Sequence, residues 1–284
     1  MKLLHNAPAI TKALILAGFM SACQNEKDAI VSPATSHEQA SDANAKTVTK
    51  LLIKDGGTKL TYSGVRNLLT KELNDADWLR QYTYADNKIS YSLAKNNSII
   101  NNYATYLLNA KGQCVQSSIT QYSAQTTIYV YNEMNQLSLA YNKTYPKQRQ
   151  VFAYEPDLDG QGVSLRSVTF FDKDDVKLKE IEFEYMDGSN GVWSTIDLYP
   201  VNPEPLAEAT SKYLPIFGKF SRYLVKQKIE KIYYVPNGVP GEKEYNYSYN
   251  SNAASVGVTT VKITDKWGKV LSNIERQYLM PMVM

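Results

Sequence analysis

Histidine is nearly missing from this chain. The two residues present, His5 and His37, lie in its first fifty positions, so everything beyond them lacks an imidazole. That removes Ser-His-Asp and Cys-His nucleophiles, histidine-ligated zinc and histidine acid or base chemistry from the remainder. Cysteine is as scarce, with Cys23 and Cys114 alone. If Cys23 is committed elsewhere, as argued below, no internal disulfide forms and the fold must stand on its core, which a chain of this length can build in one or two domains. An excess of one charge is lacking too. Lys and Arg total 31 against 28 Asp and Glu, and the margin narrows further without Lys2 and Lys12. Nothing here calls for a nucleic-acid partner.

What is present begins with an address. Residues 1–22 read as a secretion signal, with Lys2, His5 and Lys12 as a basic start and the apolar stretch Ala13 to Met20, too short to span a bilayer. Met20-Ser21-Ala22-Cys23 then resembles the lipobox of bacterial lipoproteins, with Met20 in place of the usual Leu. The resemblance implies cleavage before Cys23 and its acylation, and two or more acyl chains hold a protein on a membrane without a spanning helix. Residues 24–50 contain no aromatic side chain and read as a tether with an r.m.s. span of roughly 30 Å. Gln24-Asn25-Glu26-Lys27-Asp28 is similar to the acidic segment behind the lipidated cysteine of some surface-exported lipoproteins, or is simply part of a solvated tether. The expected address is the outer membrane of a Gram-negative bacterium, on the cell surface or the periplasmic face.

All 22 tyrosines lie beyond the tether. Tyrosine suits half-buried pleated surfaces, where the ring packs and the hydroxyl reaches a polar partner. Short strand-like runs alternate with turns such as Asn109-Ala110-Lys111-Gly112, Asn132-Glu133-Met134-Asn135, Asp172-Lys173-Asp174-Asp175 and Asp265-Lys266-Trp267-Gly268. The opening Asn or Asp bonds its own backbone, and the closing residue takes a positive φ. In Val176 to Leu198, Ile181, Phe183 and Tyr185 alternate with Glu180, Glu182 and Glu184, and Asp187-Gly188 with Asn190-Gly191 predicts a reversal into Val192 to Leu198. The apolar parity switches between Leu178 and Ile181, so a β-bulge is expected near Lys179 and Glu180. Asn202-Pro203-Glu204 reads as a helix start and predicts one short helix near 203–213. The expected fold is all-β: one curled antiparallel meander over 51–284, barrel-like and either open or closed.

On these features the chain resembles a family of bacterial lipoprotein domains of unknown function described as having a porin-like fold. The lipobox and polar tether, the tyrosine-rich strands with Asn/Asp-x-x-Gly/Asn turns, and Phe217-Gly218-Lys219-Phe220-Ser221-Arg222-Tyr223-Leu224 carry the likeness, which covers most of residues 50–284. The resemblance implies a fold and no activity. A porin-like shape need not be a pore, because membrane barrels need strands of about 9–11 residues with an uncharged outer face. Short strands and the glutamate row favour a barrel standing in water.

Three constellations offer chemistry. Asp157, Asp159 and Gln161 alternate as in a calcium loop, but Val168 stands where the bidentate Glu belongs, so a polar hairpin loop explains them better. Glu180, Glu182 and Glu184 have the spacing of a carboxylate pair for glycoside hydrolysis, against the plainer reading of a solvated strand face. Trp78, Trp193 and Trp267 are candidates for stacking on sugars, and Trp267 stands out because it occupies a turn. No catalytic residue and no cofactor is assigned. The leading expectation is a non-catalytic binding or interaction module, anchored to the membrane by lipid, for a glycan or another envelope protein. The alternatives are a carboxylate-based glycan hydrolase and a carrier of a small apolar ligand in the barrel interior.

Overall fold

A computed structural model describes residues 51–279 apart from 64–66, 97, 121–124, 158–159, 161, 187–209, 236–237 and 252–256. Sixteen strands follow one another: β1 (Leu51–Asp55), β2 (Thr58–Tyr62), β3 (Leu69–Leu73), β4 (Leu79–Ala85), β5 (Lys88–Lys95), β6 (Ser98–Leu108), β7 (Cys114–Ile119) and β8 (Gln125–Tyr131) come first. The second half is β9 (Leu137–Asn142), β10 (Arg149–Pro156), β11 (Val163–Phe171), β12 (Lys177–Tyr185), β13 (Val225–Ile232), β14 (Gly241–Ser251), β15 (Val258–Thr264) and β16 (Val270–Leu279). Each pairs antiparallel with its sequence neighbours, and β1 pairs with β16, so the barrel is closed. Leu51 and Leu279 therefore sit side by side on one rim, here the near rim. Every odd strand runs from it to the far rim.

The turns form for the reason their sequences give. In the Asn109, Asn132, Asp172 and Asp265 turns the first side chain's Oδ1 accepts the backbone N–H four residues on. The fourth residue, Gly112, Asn135, Asp175 or Gly268, has positive φ. Asn74 builds the same turn, with Asp77 at φ 58°.

Alternation then sorts the two faces. Phe152 opposes Val168, which opposes Ile181, and all three are buried. Glu180 lies between Thr169 and Lys231 on the outer face. Tyr233 and Lys177 bond that glutamate, and Lys231 reaches Glu182 at 2.6 Å. The glutamate row is thus an outer, ion-paired strand face. The expected bulge is present. Phe170 opposes Lys179 while Phe171 opposes Lys177, which leaves Leu178 as the extra residue.

That bulge lies at the far rim, and six more lie along the near rim with a consistent construction. Leu52, Leu69, Cys114, Leu137, Leu165 and Val225 each open an odd strand immediately before a bulged residue. Their carbonyls accept the hydroxyls of Tyr62, Tyr84, Tyr131, Tyr154, Tyr185 and Tyr249, each near the end of an even strand. A bulge exposes a carbonyl that the ladder no longer uses, and the phenol supplies its missing donor.

Two expectations change. The strand that follows β12 in the ladder is β13, so both edges of β12 are taken. The hairpin expected to continue into Val192 to Leu198 does not supply its partner, and those residues lie outside the described ones. The described residues contain no helix. Of the short helix expected near 203–213, positions 203–209 lie outside the described residues and Thr210 to Tyr213 are coil and turn. Ser211 is held to the wall by Glu72 and accepts the Tyr213 N–H at 3.0 Å, a local hydroxyl turn that replaces the helical one.

Candidate functional site: the interior segment and the far rim

After β12 the chain returns through the barrel. Tyr213, Leu214, Ile216, Phe217 and Phe220 are all buried. Phe217 meets Tyr106 edge-on, with ring centroids 6.3 Å apart, and Tyr129 at 5.1 Å; Phe220 meets Phe152 at 6.2 Å. The segment is also stitched to the wall by its backbone, since Cys114 N–H donates to the Ile216 carbonyl at 2.7 Å and Leu165 N–H to that of Phe220 at 2.6 Å. Gly218 is required at its bend. Its φ is +82°, and a Cβ there would lie 3.0 Å from the Asn135 carbonyl.

Three buried carboxylates of the wall hold the same segment. Asp55 bonds Lys212 at 2.8 Å, Arg276 at 3.1 Å and the Tyr213 hydroxyl at 3.0 Å. Burial raises its pKa, and the two cations outweigh that and hold the carboxyl below its ordinary range. Glu72 takes Arg80 at 3.0 Å, the Tyr82 hydroxyl at 2.6 Å and Ser211. Asp157 accepts the Ser164 hydroxyl at 2.5 Å and faces Arg222 Nε at 3.4 Å. Arginine therefore stands beside the first oxygen ligand of the calcium-like loop. Asp159 and Gln161 lie outside the described residues, and no group of three metal-ligating side chains occurs among the described ones. These acids are bound to cations, and burial pushes the Tyr82, Tyr106 and Tyr129 phenols upward. Phenols raised in this way do not exchange a proton near neutral pH.

The far rim differs in character. Every exposed aromatic ring among the described residues is there: Trp78 in the β3–β4 turn, Tyr145 between β9 and β10, Tyr233 and Tyr234 between β13 and β14, and Trp267 between β15 and β16. Trp267 is 80% exposed and Trp78 36%. Lys266 lies 4.6 Å from the Trp267 ring centre and Lys95 4.9 Å from that of Trp78. Trp193 and Cys23 fall outside the described residues. The sequence pointed to Trp78 and Trp267 singly. It did not indicate that they share a rim with three tyrosines, because that depends on the direction of each strand. Among the described residues the exposed large apolar side chains at or beside the near rim are aliphatic or thioether: Leu107, Val130, Met134 and Leu279.

No protein-family model and no curated protein matches the chain. Among solved structures it is similar to a porin-like protein from Bacteroides vulgatus, at 14% identity and TM-score 0.50, over 81% of this chain and 99% of that one. A porin-like protein from Bacteroides uniformis aligns at 13% identity and TM-score 0.42, over 84% of this chain and 99% of that one. The first likeness is one of fold: an all-β antiparallel barrel with a porin-like outline.

Proposed function

We propose that the chain is a lipid-anchored, non-catalytic binding module of the outer membrane, and that its working surface is the far rim. The observation that carries this reading is the gathering of the exposed aromatic rings on the rim opposite Leu51. Rings on rigid turns offer flat apolar area at low entropic cost, which suits the faces of sugars.

The other readings fit the geometry less well. A pore requires an outward apolar band, whereas the outer wall carries Lys54, Lys59, Lys71, Glu180, Glu182 and Lys231 on β1, β2, β3, β12 and β13. A carrier requires a hollow interior, and the returning segment packs Phe217 and Phe220 into it against Tyr106, Tyr129 and Phe152. A hydrolase requires two carboxylates flanking a cleft, and Asp55 and Glu72 are instead tied to cations and hydroxyls.

The test is native affinity electrophoresis of the mature chain in gels containing soluble xylan, glucomannan, laminarin or cellulose ether. Retardation by at least one, lost in Trp267→Ala with an unchanged melting temperature, is expected. Equal mobility in every gel refutes glycan binding. Cys23→Ser is expected to move the protein from the membrane fraction to the soluble one, and retention in the membrane would refute the anchor.

A further inference from the structure

The tips of β13–β14 and β15–β16 are neighbours on the far rim, because β14 pairs with β15. Each holds an aromatic group on a fixed support. Asp265 Oδ1 accepts the backbone N–H of Trp267 at 3.0 Å and of Lys269 at 2.9 Å, which locks the turn under the indole. On the other tip, the N–H groups of Tyr233 and Tyr234 both donate to the Leu178 carbonyl, at 2.8 and 3.2 Å. Tyr233 is further fixed by its hydroxyl on Glu180 at 3.1 Å and by Lys177, 4.3 Å from its ring centre. The backbone under both platforms, and the Tyr233 ring, are therefore set before any ligand arrives, so binding orders little beyond the Trp267 and Tyr234 side-chain torsions.

Their separation is also fixed. Tyr233 follows the far end of β13 and Trp267 lies between the far ends of β15 and β16, two to three strand-to-strand steps away, about 10–14 Å along the rim at the usual strand spacing. That exceeds the spacing between the two adjacent rings of a disaccharide. Charge of both signs is mixed in this sector, with Asp174 and Asp175 of the neighbouring β11–β12 turn paired with Lys173 at 3.0 Å and Arg149 at 2.5 Å. Asp265 is flanked by Lys266 and Lys269.

We infer that this sector is a two-subsite platform for an extended, uncharged polysaccharide chain, with Tyr233 and Tyr234 as one subsite and Trp267 as the other. The inference rests on the glycan reading above and adds a length requirement. One chain spanning both sites gains the second contact as an intramolecular event, so affinity rises steeply once the ligand is long enough to bridge them.

The experiment is isothermal titration of the mature lipidated chain in detergent with cello- and chito-oligosaccharides, from the monosaccharide to the hexasaccharide. The hexasaccharide is expected to bind at least about tenfold more tightly than the disaccharide. Trp267→Ala and Tyr234→Ala should each return the hexasaccharide to the disaccharide level with unchanged melting temperatures. Equal affinity at all lengths overturns the two-subsite inference and leaves the glycan reading standing. No binding by either series overturns the inference, and if the polysaccharide gels also show no retardation the glycan reading falls with it. Flotation of the unacylated Cys23→Ser chain with anionic phospholipid vesicles, abolished by Trp267→Ala, would assign the rim to a lipid surface and overturn both.

Discussion

Replacing Phe217 by alanine separates a fixed interior segment from a removable one. Phe217 is fully buried between Tyr106 and Tyr129. Truncating such a ring costs about 3–5 kcal/mol, part of it for the cavity left between side chains that cannot close up. Together with Tyr213, Leu214, Ile216 and Phe220, it belongs to an apolar set whose burial contributes on the order of 10 kcal/mol. That is comparable to the whole stability of an ordinary domain, about 5–15 kcal/mol. A segment held so firmly unfolds with the barrel and does not open as a gate. Urea unfolding followed by tryptophan fluorescence should therefore give Phe217→Ala one transition, with an unchanged slope and a midpoint lowered by the equivalent of about 3–5 kcal/mol. The melting temperature should fall by roughly 10 °C. Limited trypsin digestion provides the second measurement, because Lys219 and Arg222 lie in the segment. Cleavage there should track global unfolding in both proteins. A loss under about 1 kcal/mol, well below the range for a buried ring, together with cleavage at Lys219 in the folded state, would refute the reasoning and make the segment a displaceable lid.

Three further outcomes follow from the same geometry. Asp55→Asn leaves Lys212 and Arg276 without their shared carboxylate and should destabilise by roughly 2–4 kcal/mol, read by the same urea titration. Because the folded-state pKa of Asp55 is depressed, its contribution is present above its unfolded pKa and disappears as pH falls through the lower folded value. The acid limb of the stability profile should be shallower in Asp55→Asn than in the parent, and parallel profiles would refute that assignment. Tyr131→Phe removes the donor to the Cys114 carbonyl at 2.8 Å and should cost about 1 kcal/mol in thermal unfolding; a larger loss is expected if the carbonyl stays buried without a donor. Cys114 is fully buried and burial pushes its thiol pKa upward, so a maleimide should label it only at the rate of global unfolding.

The sequence carried the turns and the faces further than the topology. Asn109, Asn132, Asp172 and Asp265 each name a turn by local chemistry alone, and the parity switch after Leu178 located a bulge to within two residues, because period-two alternation leaves no other remedy. β1, β2 and β3 gave little signal, since they are five residues each, too short to show a period-two alternation clearly. The partner of β12 was misread because Val192 to Leu198 is nearer in sequence than β13 and alternation does not state which edge a strand pairs on. Phe217-Gly218-Lys219-Phe220 was conspicuous, but no local rule says that such a segment enters a barrel. The tyrosine belt had a visible signal that went unused. Tyr62, Tyr131, Tyr154, Tyr185 and Tyr249 recur two residues after an inward residue near the close of alternate strands, a position that alternation explains for the ring but not for the hydroxyl.

Every connection on the far rim joins an odd strand to the even strand after it, and the belt of bulges and phenols that sets the register lies on the opposite rim. The two tasks are therefore separable in evolution. Substitutions or insertions at the tips around Trp78, Tyr145, Tyr234 and Trp267 can change what is recognised without disturbing strand pairing, much as loops vary on a rigid scaffold. Changes at Leu52, Leu137, Leu165 or their tyrosine partners alter the frame itself. Homologous barrels built this way would diverge fastest at one end, and the diverging end would mark the ligand.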